Sequence, residues 1–126
     1  MSHPPIDSQI TFSYTNDLAQ TSRFYEDVMG LRLKLDQGAC RIYQVGGDSY
    51  FGFCQRTVNA PPSQEQSHVI LTIVTHSVDE WHQYLTEHGV RLEKSPAVNS
   101  EYGIYHFFLR DPDGNLLEVQ QFLDPF

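Results

Sequence analysis

The chain has no apolar run approaching the ~20 residues that span a bilayer. Basic residues are scarce: 8 Lys and Arg stand against 16 Asp and Glu, for a net charge of −8. Nucleic acid calls for a basic face and an anionic membrane attracts basic segments, so neither partner is expected. Cysteine is nearly missing, and Cys40 and Cys54 make no metal-binding spacing. The opening "MSHPPIDSQ" has neither a basic n-region nor an apolar h-region. The expected location is therefore the cytoplasm, with both cysteines as reduced thiols. Length is limited as well: 126 residues support one domain with a real core, not two independent ones.

What is present alternates and repeats. "QITFSYT" (9–15) places Ile10, Phe12 and Tyr14 on one face and Gln9, Thr11, Ser13 and Thr15 on the other, the pattern of a half-buried strand. Asp17 with Gln20 resembles a helix start, Leu18, Phe24, Tyr25, Val28 and Met29 follow at helical spacing, and Gly30 suits a C-terminal cap. "LRLKLD", "ACRIYQV" and "SYFGFCQ" read as strands, and "TVNAPPSQEQS" (57–67) as a linker. Then the plan restarts. "HVILTIV" is a strand, Ser77 with Glu80 reads as a capping box, "VDEWHQYLTEH" as a helix closed by Gly89, and "VRLEKS", "YGIYHFFLR" and "LLEVQQF" as strands.

The order is thus βαβββ twice, about 9–56 and 68–122, and the two copies can be aligned. A shift of 59 (68 − 9) carries Gln9 onto His68, Tyr25 onto Tyr84 and Gly30 onto Gly89. The last strands match at a shift of 66 (118 − 52), placing Gly52 on Glu118. Val69, Leu71 and Ile73 would pack on the helix, with Ile10, Phe12 and Tyr14 as their counterparts. Gln9, Gly52, His68 and Glu118 then fall on the helix-free faces.

Glu118 is the informative residue of the four. A carboxylate in mid-strand is costly unless it is solvated, paired, hydrogen-bonded or bound to metal, and the faces of "HVILTIV" and "QITFSYT" offer it no Lys or Arg. Carboxylate, imidazole (His68) and amide oxygen (Gln9) together suit a divalent ion such as Fe, Mn, Ni or Zn. The plainer reading leaves Glu118 as a solvated charge, His68 as a surface residue at a strand start and Gln9 as a polar strand residue. His106 shares a face with Ile104 and Phe108 and is a candidate acid–base or supporting group, though a structural histidine fits too. Tyr102 and Tyr105 flank Gly103 and could fringe the same site or pack at its rim.

"NDLAQTSRFYEDVMGL", "HVILTIV…DEWHQYLTEHGV" and above all "FFLRDPDGNLLEVQ" resemble the vicinal oxygen chelate superfamily of glyoxalases, extradiol dioxygenases, fosfomycin-resistance enzymes and bleomycin-resistance proteins. The resemblance spans about residues 9–122. It implies an α+β fold of two tandem βαβββ modules, forming a curved, cleft-bearing eight-stranded sheet with helices outside, in a single domain 1–126. It also implies metal ligands on the first and last strands of each module: Gln9, His68 and Glu118, with Gly52 unable to contribute. An alignment shorter by one residue puts Ile10 at the first site instead; strand parity favours Gln9.

Two functions follow. One is a metal-dependent lyase or dioxygenase acting on a small molecule that chelates the ion through adjacent oxygens, with His106 and Tyr105 as catalytic candidates. The other is a metal-free small-molecule-binding protein of the bleomycin-resistance type. His68 with Glu118 favours the first, Gly52 and Gln9 the second, and the metal-dependent enzyme is the leading expectation with the binding protein as the alternative. A homodimer is expected, with Tyr43, Tyr50 and Phe126 available as apolar interface.

Overall fold

The computed structural model describes residues 3, 4, 6–58 and 69–125. The 57–67 linker, His68 and Phe126 therefore lie wholly or largely outside the described residues. The chain divides into two compact units, Met1–Pro61 and Pro62–Phe126.

In the first unit, β1 (Gln9–Thr15) leads to α1 (Leu18–Arg23), a π-helical turn (Phe24–Val28), β2 (Arg32–Asp36), β3 (Cys40–Gln44) and β4 (Ser49–Gln55). The strands form a mixed sheet in the order β1-β4-β3-β2, with β1 parallel to β4. In the second unit, β5 (Leu71–Val74), α2 (Val78–Glu87), β6 (Ala97–Asn99), β7 (Ile104–Arg110) and β8 (Leu116–Phe122) repeat the plan as β5-β8-β7-β6, with β5 parallel to β8. Among the described residues this is the expected α+β fold of two βαβββ units and eight strands. "VRLEKS" makes only an isolated bridge, Leu92 to Leu109, and the edge strand forms later, at Ala97–Asn99.

Local chemistry sets the boundaries. The Asp17 carboxylate caps α1 by accepting from the Gln20 amide at 3.1 Å, as Asp does at helix starts. Ser77 gives α2 no such side-chain bond, so the expected capping box does not form there. Between β7 and β8, Asp111 accepts from the amides of Asp113 (2.9 Å) and Asn115 (2.8 Å) and from the Asn115 side chain (2.8 Å). Gly114 supplies the positive φ of 85° that this turn requires.

The two cores differ in kind. Tyr25, Tyr43 and Phe53 are fully buried beneath the first unit's helix, with Tyr25 stacked on Phe53 at 4.2 Å between ring centroids. In the second unit Leu85, Leu109, Leu117 and Val119 are fully buried around a single buried ring, Phe107. Each such side chain stabilises by about 1.5–3 kcal/mol through removal from water. Tyr43 is not available as dimer interface, because it lies inside this core with its hydroxyl donating to Glu26 at 2.9 Å.

The face of β1 is the reverse of the expectation. Thr15 is buried, and its hydroxyl meets that of Thr21 on α1 at 2.6 Å, so Gln9, Thr11, Ser13 and Thr15 form the helix-side row. Ile10, Phe12 and Tyr14 lie on the helix-free face and are 37%, 52% and 42% exposed. Alternation reveals a strand's period but not which row turns inward. Here the aromatic residues of the helix, β3 and β4 fill the helix side, and small hydroxyls suffice from β1.

The alignment of the two units explains the slip. Thr11 pairs with Phe51, and Leu71 pairs with Leu117. Since Phe51 and Leu117 are equivalent, the first strands match at a shift of 60 (71 − 11). The helix-ending glycines, Gly30 and Gly89 (φ 70° and 69°), match at 59. The extra residue of the first unit is absorbed in the π-helical turn, where the Met29 amide reaches back five residues to the Phe24 carbonyl at 2.9 Å.

Candidate functional site

β8 enters directly from the Asp111 turn, and its alternation divides its residues cleanly. Leu117 and Val119 are fully buried on the helix side, while Glu118 and Gln120 face the other way and are each 8% exposed. Antiparallel pairing sets Phe108 opposite Glu118 and His106 opposite Gln120. His106 is thus the diagonal neighbour of Glu118, within reach for long side chains.

The imidazole Nδ1 of His106 lies 2.6 Å from Glu118 Oε2, and both side chains are largely buried. In the tautomer that carries its proton on Nδ1 the ring donates to Glu118, whose carboxylate accepts. The Thr72 hydroxyl, across the parallel β5 pair, lies 3.5 Å from Oε1 and 3.4 Å from the Ile70 carbonyl, its one proton shared between them. The Gln120 amide, oriented as its acceptor neighbours demand, places its nitrogen 3.0 and 3.2 Å from the two carboxylate oxygens. The mid-strand carboxylate has its partners, and all three come from the protein.

Glu118, His106 and Gln120 line a pocket of about 470 Å³ within the second unit, whose remaining walls are Ile70, Asn99, Tyr102, Ile104, Phe108 and Phe122. The lining is predominantly apolar with a few convergent polar groups, the usual make-up of a small-molecule site. The His106 ring packs edge-on against Phe108, which holds it beside the carboxylate.

The other site candidates lie elsewhere. Gln9 is on the helix-side row of β1, its amide donating to the Thr11 hydroxyl at 2.8 Å. Tyr105 faces α2 rather than the pocket and donates its hydroxyl to Asp79 at 2.6 Å. That bond to a carboxylate is the main reason its ionisation is pushed above the ordinary tyrosine range. Tyr102, not Tyr105, lines the pocket. In the first unit, the position equivalent to Glu118 is Gly52, and a Cβ there would collide with the ring of Phe12.

Of the expected metal ligands, Glu118 lines the pocket, Gln9 does not, and His68 lies outside the described residues. Among the described residues no three His, Cys, Asp or Glu side chains gather as a metal cluster. Both oxygens of Glu118 already accept bonds from the protein, and Gln9 is on the opposite face of its own sheet. The cysteines depart from expectation as well: Cys40 and Cys54 are register partners on β3 and β4 and are joined as a disulfide.

The His106–Glu118 contact was legible in the turn. A hairpin centred on Asp113 pairs residues whose numbers sum to 226, as 108 + 118 and 106 + 120 do. By the same rule a hairpin centred on Gly47 pairs residues summing to 94, which brings Cys40 to Cys54.

Two βαβββ units with a pocket on a helix-free sheet face define a class, and the comparisons agree with it. The chain belongs to the Glyoxalase/Bleomycin resistance protein/Dioxygenase superfamily, whose family model matches residues 9–119. An uncharacterised Bacillus subtilis protein, YraH, is 25% identical over 118 residues, covering 86% of this chain and 92% of that protein. A lactoylglutathione lyase structure from Agrobacterium tumefaciens is 25% identical with a TM-score of 0.71, over 94% of this chain and 96% of its own. A virulence protein from Salmonella typhimurium shares the fold at 22% identity and a TM-score of 0.72, over 97% and 99% of the two chains.

Proposed function

We propose that this protein binds a small, largely apolar molecule in the Glu118 pocket without a metal ion, as a metal-free binding member of its superfamily. The observation that carries this reading is the satisfied carboxylate. Glu118 receives its hydrogen bonds from His106, Thr72 and Gln120, so no cation is required to offset its burial. Aromatic and aliphatic walls supply affinity through burial, and the polar floor fixes the ligand's orientation. The protein acts in the cytoplasm as one domain made of both units, and as a homodimer. Light scattering should give twice the 14.5 kDa chain mass; the chain mass at every concentration would remove the dimer.

The second reading is a metal-dependent lyase or dioxygenase whose ion is held by His68, Glu118 and Gln9. The position of Glu118 on the pocket wall favours it, and the named activity of the Agrobacterium relative lends it weight. A thermal-shift screen of small aromatic and carbonyl compounds, with and without EDTA, separates the two. The binding reading predicts stabilisation that EDTA leaves unchanged and that His106→Ala weakens. Stabilisation abolished by EDTA would install the metal-dependent reading instead.

A further inference from the structure

The first unit has its own pocket at the place equivalent to the Glu118 site. The shift of 66 carries Cys40 onto His106 and Cys54 onto Gln120, so the disulfide stands where the second unit holds its cross-strand His106–Gln120 pair. Both cysteines are half-buried and open into a cavity of about 440 Å³, together with Phe12, Tyr14, Gln37 and Gln55. A small nucleophile can therefore reach sulfur through a cup with aromatic walls.

The strands the bond joins are also held by their own ladder. The bond joins residues 14 apart on two strands that the β3–β4 ladder already holds in register from Cys40–Cys54 to Gln44–Tyr50. The second unit forms the same hairpin with no disulfide at the equivalent place.

We propose that Cys40–Cys54 is a thiol-exchange site, at which a low-molecular-weight thiol becomes attached as a mixed disulfide within this pocket. A thiolate attacks one cysteine sulfur, the S–S bond breaks, and the other cysteine leaves as a thiolate that takes up a proton from water. A second thiol attacks the mixed disulfide, releasing the remaining cysteine and forming the oxidised thiol dimer. In total two electrons and two protons pass from two thiols to the protein. The proposal rests on the first unit alone and stands whether or not the Glu118 pocket binds a ligand.

The test uses folded, untagged protein equilibrated in buffers of reduced and oxidised glutathione, then trapped by alkylation for intact-mass measurement. With excess oxidised glutathione, no thiol should be alkylated. At intermediate ratios one glutathione adduct per chain should appear, and with excess reduced glutathione both cysteines should be alkylated. Circular dichroism should not change across the series. Cys40→Ser and Cys54→Ser should each retain one adduct on the remaining cysteine, and the double variant none. Two alkylatable thiols under oxidising conditions would overturn the proposal. So would a disulfide that resists millimolar glutathione until the chain is unfolded, or loss of fold on reduction.

Discussion

The two units share one topology and differ in what they build on it. The first packs rings beneath its helix and shapes the helix-free face into an apolar cup over a disulfide: Phe12 occupies the space beside Gly52, and Cys40–Cys54 spans β3 and β4. The second packs mainly aliphatic side chains around Phe107 beneath its helix and leaves that face open, with Glu118, His106 and Gln120 lining a cavity. Side-chain size on the helix-free row of the first strand decides between them. Opposite Gly52 stands Phe12, whereas opposite Glu118 stands Thr72, small enough to admit a carboxylate and able to donate to it. One scaffold therefore yields an apolar cup over a disulfide in one copy and a polar-floored pocket in the other.

The contrast can be broken most forcefully in the cores. Phe53→Ala, which removes the ring stacked on Tyr25, should cost about 4 kcal/mol, and Leu117→Ala about 3 kcal/mol. Urea unfolding measures both, and a loss below 1 kcal/mol in either would mean that core is misassigned.

A smaller effect is expected at the carboxylate. His106→Ala leaves Glu118 largely buried and short of a donor, at a cost of about 1–3 kcal/mol. Combined with Glu118→Gln the loss should be less than additive; strict additivity would deny the contact.

In the first unit, Gly52→Ala should cost about 1–2 kcal/mol by displacing the half-exposed Phe12 ring. Adding Phe12→Ala should restore most of that loss. No recovery would show that the ring is not what fills the face.

The smallest effect belongs to Tyr105. Its raised pKa stabilises the fold fully below the ordinary tyrosine value of about 10, and this contribution fades as pH rises through the folded value. The melting temperature of Tyr105→Phe should lie slightly below the parent's at neutral pH, with the gap closing at alkaline pH. A gap that widens there would reverse the assignment.

Much of this architecture was legible in the residues. "SYFGFCQ" and "LLEVQQF" are strands at their predicted limits, and Asp17, Gly30 and Gly89 punctuate the helices as their chemistry dictates. The π-helical turn hid the correct alignment. Asp17 and Ser77 cap helices 60 residues apart while the closing glycines are 59 apart, so a gapless slide fitted the glycines and misplaced β1. That one residue put Gln9, rather than Ile10, on the helix-free face. The partner of Glu118 was sought among Lys and Arg on the parallel neighbours, but it stood on the antiparallel hairpin as His106. The disulfide was missed because compartment, not register, guided the reading of Cys40 and Cys54.

The account's central claim is that Glu118 is satisfied by the protein and not by a metal. The most direct test is the melting temperature of untagged protein in EDTA and in saturating Mn, Ni or Zn, beside Glu118→Gln. A ligand that binds only the folded chain raises stability by RT ln(1 + [L]/Kd), about 2.7 kcal/mol at a hundredfold excess over Kd. We predict that the parent melts at the same temperature in EDTA and in each metal. A metal-dependent rise in the parent that disappears in Glu118→Gln would contradict the account.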